Sequence, residues 1–140
     1  MAENDELERI KKKMVEQLTR AEDRGIWTDG RVIELNEANF DEALGKATVP
    51  VLVDFWAGWC APCRVMKPVM ETLAKEFAGQ AGFGKIDVDQ NQALARRYGV
   101  MSIPNFVLFK NGKPVDRAVG AVGRRGLETM LRRHLTSAGE

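Results

Sequence analysis

The stretch from Val51 to Pro68 constrains this chain more than any other: Val51-Leu52-Val53-Asp54-Phe55-Trp56, then Ala57-Gly58-Trp59, then Cys60-Ala61-Pro62-Cys63, then Arg64-Val65-Met66-Lys67-Pro68. It holds both cysteines of the protein. The apolar run, rich in β-branched and aromatic residues, predicts a buried strand, and Pro62 suits the first turn of a helix, where a missing N–H costs nothing. Cys60 is therefore expected at a helix N-terminus. There, unpaired backbone N–H groups and the positive end of the helix dipole favour a thiolate over a thiol, and only the thiolate is nucleophilic. With two residues between them across that turn, the cysteines can also close a disulfide with each other. A mixed disulfide formed at Cys60 then has a resolving thiol, Cys63, at very high effective concentration. That is the chemistry of a reversible dithiol carrier.

The competing reading of such a pair is a metal site. Structural zinc takes four ligands, and the chain offers two cysteines and one histidine, His134, far along the sequence. Zinc could be completed only across a dimer or with a partner, so the redox reading is preferred and no metal is expected. His134 reads as a solvated residue near a helix C-terminus. Lys and Arg number 21 against 20 Asp and Glu, which gives no electrostatic case for nucleic acid. Arg124, Arg125, Arg132 and Arg133 make the last helix locally basic, read as a solvated face whose Arg132 and Arg133 lie near the negative dipole end. The start Met1-Ala2-Glu3-Asn4-Asp5-Glu6 lacks the basic residues and apolar core of a signal peptide, and no apolar run approaches a bilayer span. The expectation is a cytoplasmic protein that engages neither membrane nor nucleic acid. In a reducing cytosol, a lone Cys-x-x-Cys pair is catalytic or metal-binding rather than a structural staple.

Taken in order, Asn4 or Asp5 caps a first helix with Leu7, Ile10, Met14, Leu18 and Ala21 on one face, ending at Gly25. A lone helix of this length is marginal in water, so docking or association of its apolar face is expected. Trp27-Thr28-Asp29-Gly30 reads as a turn, and Arg31 to Leu35 as a short strand. Asn36 is expected to cap a helix through Leu44, with Phe40, Ala43 and Leu44 inward. Beyond the central strand and the helix that Gly79 terminates come a strand over 83–88, a helix from the cap Asn91 to Tyr98, and a strand over 105–109. Asn111-Gly112 then turns into a strand from Val115 to Val119, a strong hairpin signal. A last helix runs from about Arg124 to Leu135, burying Leu127, Met130 and Leu131. Strands alternating with helices and finishing in a hairpin predict an α/β fold with a mixed sheet covered on both faces.

Phe55-Trp56-Ala57-Gly58-Trp59-Cys60-Ala61-Pro62-Cys63 resembles the active-site signature of the thioredoxin family. Further matches follow in order: Asp54 in the strand, Pro68 inside the next helix, Lys85-Ile86-Asp87-Val88-Asp89, Ile103-Pro104, Asn111-Gly112 and Val119-Gly120. The likeness spans roughly Val32 to Leu135. It implies the thioredoxin fold, with a central five-stranded mixed sheet flanked by helices, and divides the chain into an N-terminal helical extension (1–26), a domain (27–137) and a tail (138–140). It implies a protein-disulfide reductase that needs no bound cofactor and is re-reduced by a thioredoxin reductase. Cys60 would be the nucleophile, Cys63 the resolving thiol and their disulfide the oxidised form. A carboxylate inside an apolar strand has its pKa forced upward, and the family assigns the matching residue, Asp54, proton transfer for Cys63. Lys85 matches the family's buried lysine that pulls that pKa back down, the alternative being a lysine that reaches solvent.

Pro104 matches the cis-proline of the loop that faces the disulfide. The docking surface implied for client proteins is Trp59, Ala61, Pro62, Ile103, Pro104, Val119, Gly120 and Ala121, with Phe55 and Trp56 left to the core. Three residues depart from the family pattern: Ala61 stands where Gly is usual, Asn105 where Thr usually follows the cis-proline, and Arg64 where Lys is frequent. The alternatives kept are a thiol oxidase or disulfide isomerase on the same fold, and a non-catalytic interaction module working through its N-terminal helix. A monomer is expected, with a dimer through that helix as the other arrangement.

Overall fold

The computed structural model describes residues 6–12 and 26–135. Residues 6–12 are helical (α1), and there Leu7 and Ile10 are 51% and 49% exposed, so this part of the apolar face is not covered by the rest of the described chain. The remainder of that face, Met14, Leu18 and Ala21, the expected stop at Gly25, and the tail 138–140 lie outside the described residues. The elements that follow are β1 (Val32–Glu34), α2 (Phe40–Gly45), β2 (Val51–Trp56), α3 (Ala61–Glu76), β3 (Gly82–Asp87), α4 (Gln92–Arg97), β4 (Asn105–Lys110), β5 (Lys113–Val119) and α5 (Gly123–Leu135).

The five strands form one sheet in the order β1-β3-β2-β4-β5. β1, β3 and β2 run parallel, and β4 and β5 are antiparallel to their neighbours. Because side chains alternate across a strand, β2 sends Leu52 to one face and Val51, Val53 and Phe55 to the other. Leu52, Phe106 and Leu108 pack with Met66, Met70, Leu73, Leu127 and Leu131 of α3 and α5. Val53, Phe55, Ile86, Val107 and Phe109 pack with Phe40, Leu44 and Leu94 of α2 and α4. The sheet is thus covered on both sides, as its parallel strands require. Asp54 shares its face with Leu52, beneath α3.

Several local expectations change. Trp27 is not a turn residue on the surface. Residues 26–28 are helical, Trp27 is buried, and its indole N–H donates to Ala43 O at 2.8 Å. Glycine makes the room: a Cβ on Gly82 would lie 2.6 Å from the Trp27 ring, and one on Gly84 2.7 Å from Leu35 Cδ1. α2 starts at Phe40 rather than just after Asn36. The Asn36 carboxamide oxygen instead accepts from the N–H groups of Ala38 and Asn39, at 2.8 and 2.9 Å, and closes a turn of its own. α4 does begin after Asn91, but that side chain accepts from Glu37 N–H and donates to Asp87 O, each at 3.0 Å. The cap is supplied in trans by Glu37, whose carboxylate accepts from Ala93 N–H at 3.0 Å. His134 is not a solvated residue: it lies 2.9 Å from the Asp116 carboxylate, which Arg133 also reaches at 3.2 Å. Arg124 pairs with Glu76 of α3, and Arg132 with Glu128.

Candidate active site

The carboxyl end of β2 and the start of α3 place the sulfurs. Ala57 O accepts from Cys60 N–H, which turns the chain into the helix with Cys60 as its N-cap in extended conformation and Pro62 in the first turn. Cys60 and Cys63 are joined as a disulfide with Cα atoms 5.3 Å apart, and Cys63 N–H points at Cys60 Sγ at 3.2 Å. An N–H aimed at that sulfur from a helix N-terminus favours negative charge on it once the bond is reduced. Both cysteines are almost wholly buried. Cys60 Sγ lies 3.8 Å from Ile103 O, and the Ile103–Pro104 peptide bond is cis.

Each sulfur meets a different surface. Cys60 lies at the floor of a shallow groove shared with Trp59, Ala61, Pro62, Met101 and Ile103. Trp59 is 69% exposed, yet its indole N–H is held by Asp89 at 2.8 Å, so an apolar plate is presented in one orientation. Val119, Gly120 and Ala121 join this side through Gly120 N–H, which donates to Pro104 O at 2.8 Å. Cys63 opens on the other side into a recess of about 230 Å³ with Asp54, Trp56, Arg64, Lys67 and Lys85. Asp54 is 5% exposed. Burial pushes its carboxyl up to about 7, while the Lys85 charge pulls in the opposite direction. The two are partners in the parallel β2–β3 register, so their side chains rise from the same face of the sheet. Among the described residues, Asp54 Oδ1 and Trp56 Nε1 have no hydrogen-bond partner, and Lys85 Nζ stands 5.5 Å from the centre of the Trp56 ring. A buried carboxyl titrating near neutrality beside a thiol is equipped to take and return a proton.

All the residues singled out from the sequence therefore gather at one end of the sheet, Cys60 with the docking residues and Cys63 with Asp54 and Lys85. Four others were missed. Trp56, unlike Phe55, is not plain core but a wall of the recess. Asp89 fixes Trp59, and the acidic end of Lys85 to Asp89 was its only signal. Met101, 94% exposed on the groove rim, and Arg117, which reaches the loop before Pro104 from β5, carry no sequence mark of their positions. His134, held by Asp116, lies outside both lining sets, and among the described residues no group of three or more His, Cys, Asp or Glu side chains is placed to hold a metal.

A sequence model of the thioredoxin family matches residues 31–133. Thioredoxin of Haemophilus influenzae is 41% identical over 104 residues, 74% of this chain and 97% of that protein. Thioredoxin of Staphylococcus haemolyticus is 42% identical over 104 residues, 74% of this chain and 98% of that protein. Among solved structures, a mutant thioredoxin from Halobacterium salinarum superposes with a TM-score of 0.70 at 36% identity, covering 76% of this chain and 92% of the other.

Proposed function

Because the chain belongs to the thioredoxin family and is a disulfide oxidoreductase built on the Cys60–Cys63 pair, we propose that it is a general protein-disulfide reductase, re-reduced by a thioredoxin reductase. The observation that carries this reading is the separation of the two sulfurs, Cys60 facing a client groove and Cys63 a proton-transfer recess. The Cys60 thiolate attacks a client disulfide. The client S–S bond breaks, one client sulfur leaves as a thiolate and takes a proton from water, and a mixed disulfide forms at Cys60. Cys63 then gives its proton to the Asp54 carboxylate and attacks Cys60 Sγ, expelling the second client thiolate. Two electrons pass to the client and the Cys60–Cys63 bond forms.

In this reading Lys85 keeps Asp54 close to neutrality by offsetting part of the cost of burial. Trp59, Ala61, Pro62, Ile103, Pro104, Val119, Gly120 and Ala121 form the docking surface, where an extended client segment gains backbone hydrogen bonds and shallow apolar contact. That mode tolerates many sequences. The working unit is residues 27–137, acting as a monomer in the cytoplasm, with 1–26 as an extension. No described helix is long and apolar enough to cross a membrane.

The test is the equilibrium potential of the cysteine pair against a dithiothreitol or glutathione buffer. A value near the roughly −270 mV known for thioredoxin itself supports a reductase, and one near about −120 to −180 mV makes the protein a disulfide donor or isomerase. Cys63→Ser is expected to accumulate a mixed disulfide through Cys60 with an added protein disulfide, visible as a mass increase. Absence of that adduct refutes the assignment of Cys60 as nucleophile.

A further inference from the structure

We propose that Arg117 and Asn105 form a polar staple that sets the position of the client-docking loop, residues 99–104, so that both are positioning residues for client binding. This rests on the reading that clients dock across Ile103.

That loop connects α4 to β4 and carries Met101 and Ile103 to the groove beside Cys60. Its ends are anchored, with Pro104 buried, Val100 N–H donating to Ala95 O at 2.9 Å and Gly120 N–H donating to Pro104 O at 2.8 Å, but between them Met101 and Ser102 are exposed and Val100 and Ile103 are only partly buried. Two side chains add further ties at its entry, middle and exit. At the entry, the Arg117 guanidinium reaches over from the edge strand β5 and donates to Tyr98 O and to Gly99 O, the latter at 3.4 Å. These carbonyls follow the last turn of α4, where the negative end of the helix attracts a cation. At the exit, the same guanidinium donates to Asn105 Oδ1 at 3.3 Å. In the middle, Asn105 Nδ2 donates to Ser102 O at 3.3 Å.

Asn105 is buried, so its carboxamide has to find its partners inside the protein. The sheet register makes the arrangement possible: Arg117 stands opposite Val107, and Val119 opposite Asn105, which puts both polar side chains on the face that carries Tyr98. A planar fork with several donors spans three spread acceptors at once, which the compact ammonium of a lysine matches less well. Displacing the loop moves Met101 and Ile103, which line the groove beside Cys60. The staple therefore acts chiefly on how well a client segment fits.

The experiment follows single-turnover reduction of insulin, a generic protein disulfide, by the pre-reduced full-length protein over a range of insulin concentrations. Arg117→Met is expected to raise the half-saturating insulin concentration about five-fold or more while leaving the limiting rate within about twofold. Its oxidised form should be reduced by dithiothreitol, too small to span the loop, at the parent rate. Arg117→Lys should recover only part of the loss, and it replaces Arg117→Met should that variant fail to fold. An unchanged half-saturating concentration, or equal slowing with insulin and dithiothreitol, overturns the staple. Ile103→Asp separates the two readings. If it raises the half-saturating concentration and the Arg117 variants do not, the staple alone falls. If it has no effect either, docking across Ile103 falls with it.

Discussion

Asp54 keeps a carboxyl where an apolar side chain would pack without penalty, and its acidity records the cost. An acid whose pKa is raised on folding takes stability away wherever the unfolded chain has released a proton that the folded chain retains. For Asp54 that loss begins as pH rises past 3.8 and is complete above about 7. Asp54→Asn is therefore expected to be more stable than the parent by on the order of 2–4 kcal/mol at pH 8, the gap closing toward pH 4; urea unfolding at the two pH values checks it. The same variant should resolve the Cys60 mixed disulfide roughly a hundred-fold more slowly, and lose the rise in that rate as pH passes through 7, in stopped-flow experiments. Asp54 was legible in the sequence because a charge interrupts an apolar run. Met101 was not, because an exposed methionine looks the same in sequence whether it rims a binding groove or faces open solvent.

Between elements, close approach is set by what is missing as much as by what is present. The Trp27 ring lies against β3 only because Gly82 has no side chain. Gly82→Ala is expected to cost about 1–3 kcal/mol by overpacking, read as a lowered thermal midpoint with little change in exchange chemistry. β5 and α5 are joined by Asp116. Burial would raise its pKa, but the hydrogen bonds from His134 and Arg117 N–H and the charges of His134 and Arg133 leave it lowered overall. The stabilisation from a lowered acid is present at neutral pH and fades as pH falls through the folded pKa. Asp116→Asn should accordingly lose up to about 1 kcal/mol at pH 7 and nothing in strong acid, measured by denaturant unfolding. Periodicity and turn chemistry located all five strands and helices α2 to α5, but read a turn where residues 26–28 are helical. They failed where a side chain served a distant element: Asn36 closes a turn instead of capping α2, and Glu37 caps α4 from far away in sequence. A side chain that answers to a remote partner leaves no local pattern to read.

At the scale of the molecule, two cores lie on opposite faces of the sheet, and the cysteines belong to a third small cluster with Ala57, backed by Trp56 and Ile103, at its end. The mixed sheet covered on both faces was foreseeable from alternating strands and helices, whereas the groove was foreseeable only through the family likeness, since its loop has no periodic signal. With Leu7 and Ile10 half-exposed, removal of residues 1–25 is expected to leave insulin reduction within about twofold of the parent; loss of activity in a folded truncation would make the extension part of the client surface. The disulfide itself spans a sequence separation of only 3. In the chain-entropy account, closing so small a ring restrains the unfolded chain by about 2 kcal/mol, against about 4.7 for a hundred-residue loop. Making and breaking this bond therefore alters the stability of the whole far less than a long-range cross-link would. The protein is rechargeable: it can be filled with electrons and emptied again, cycle after cycle, with the scaffold folded throughout.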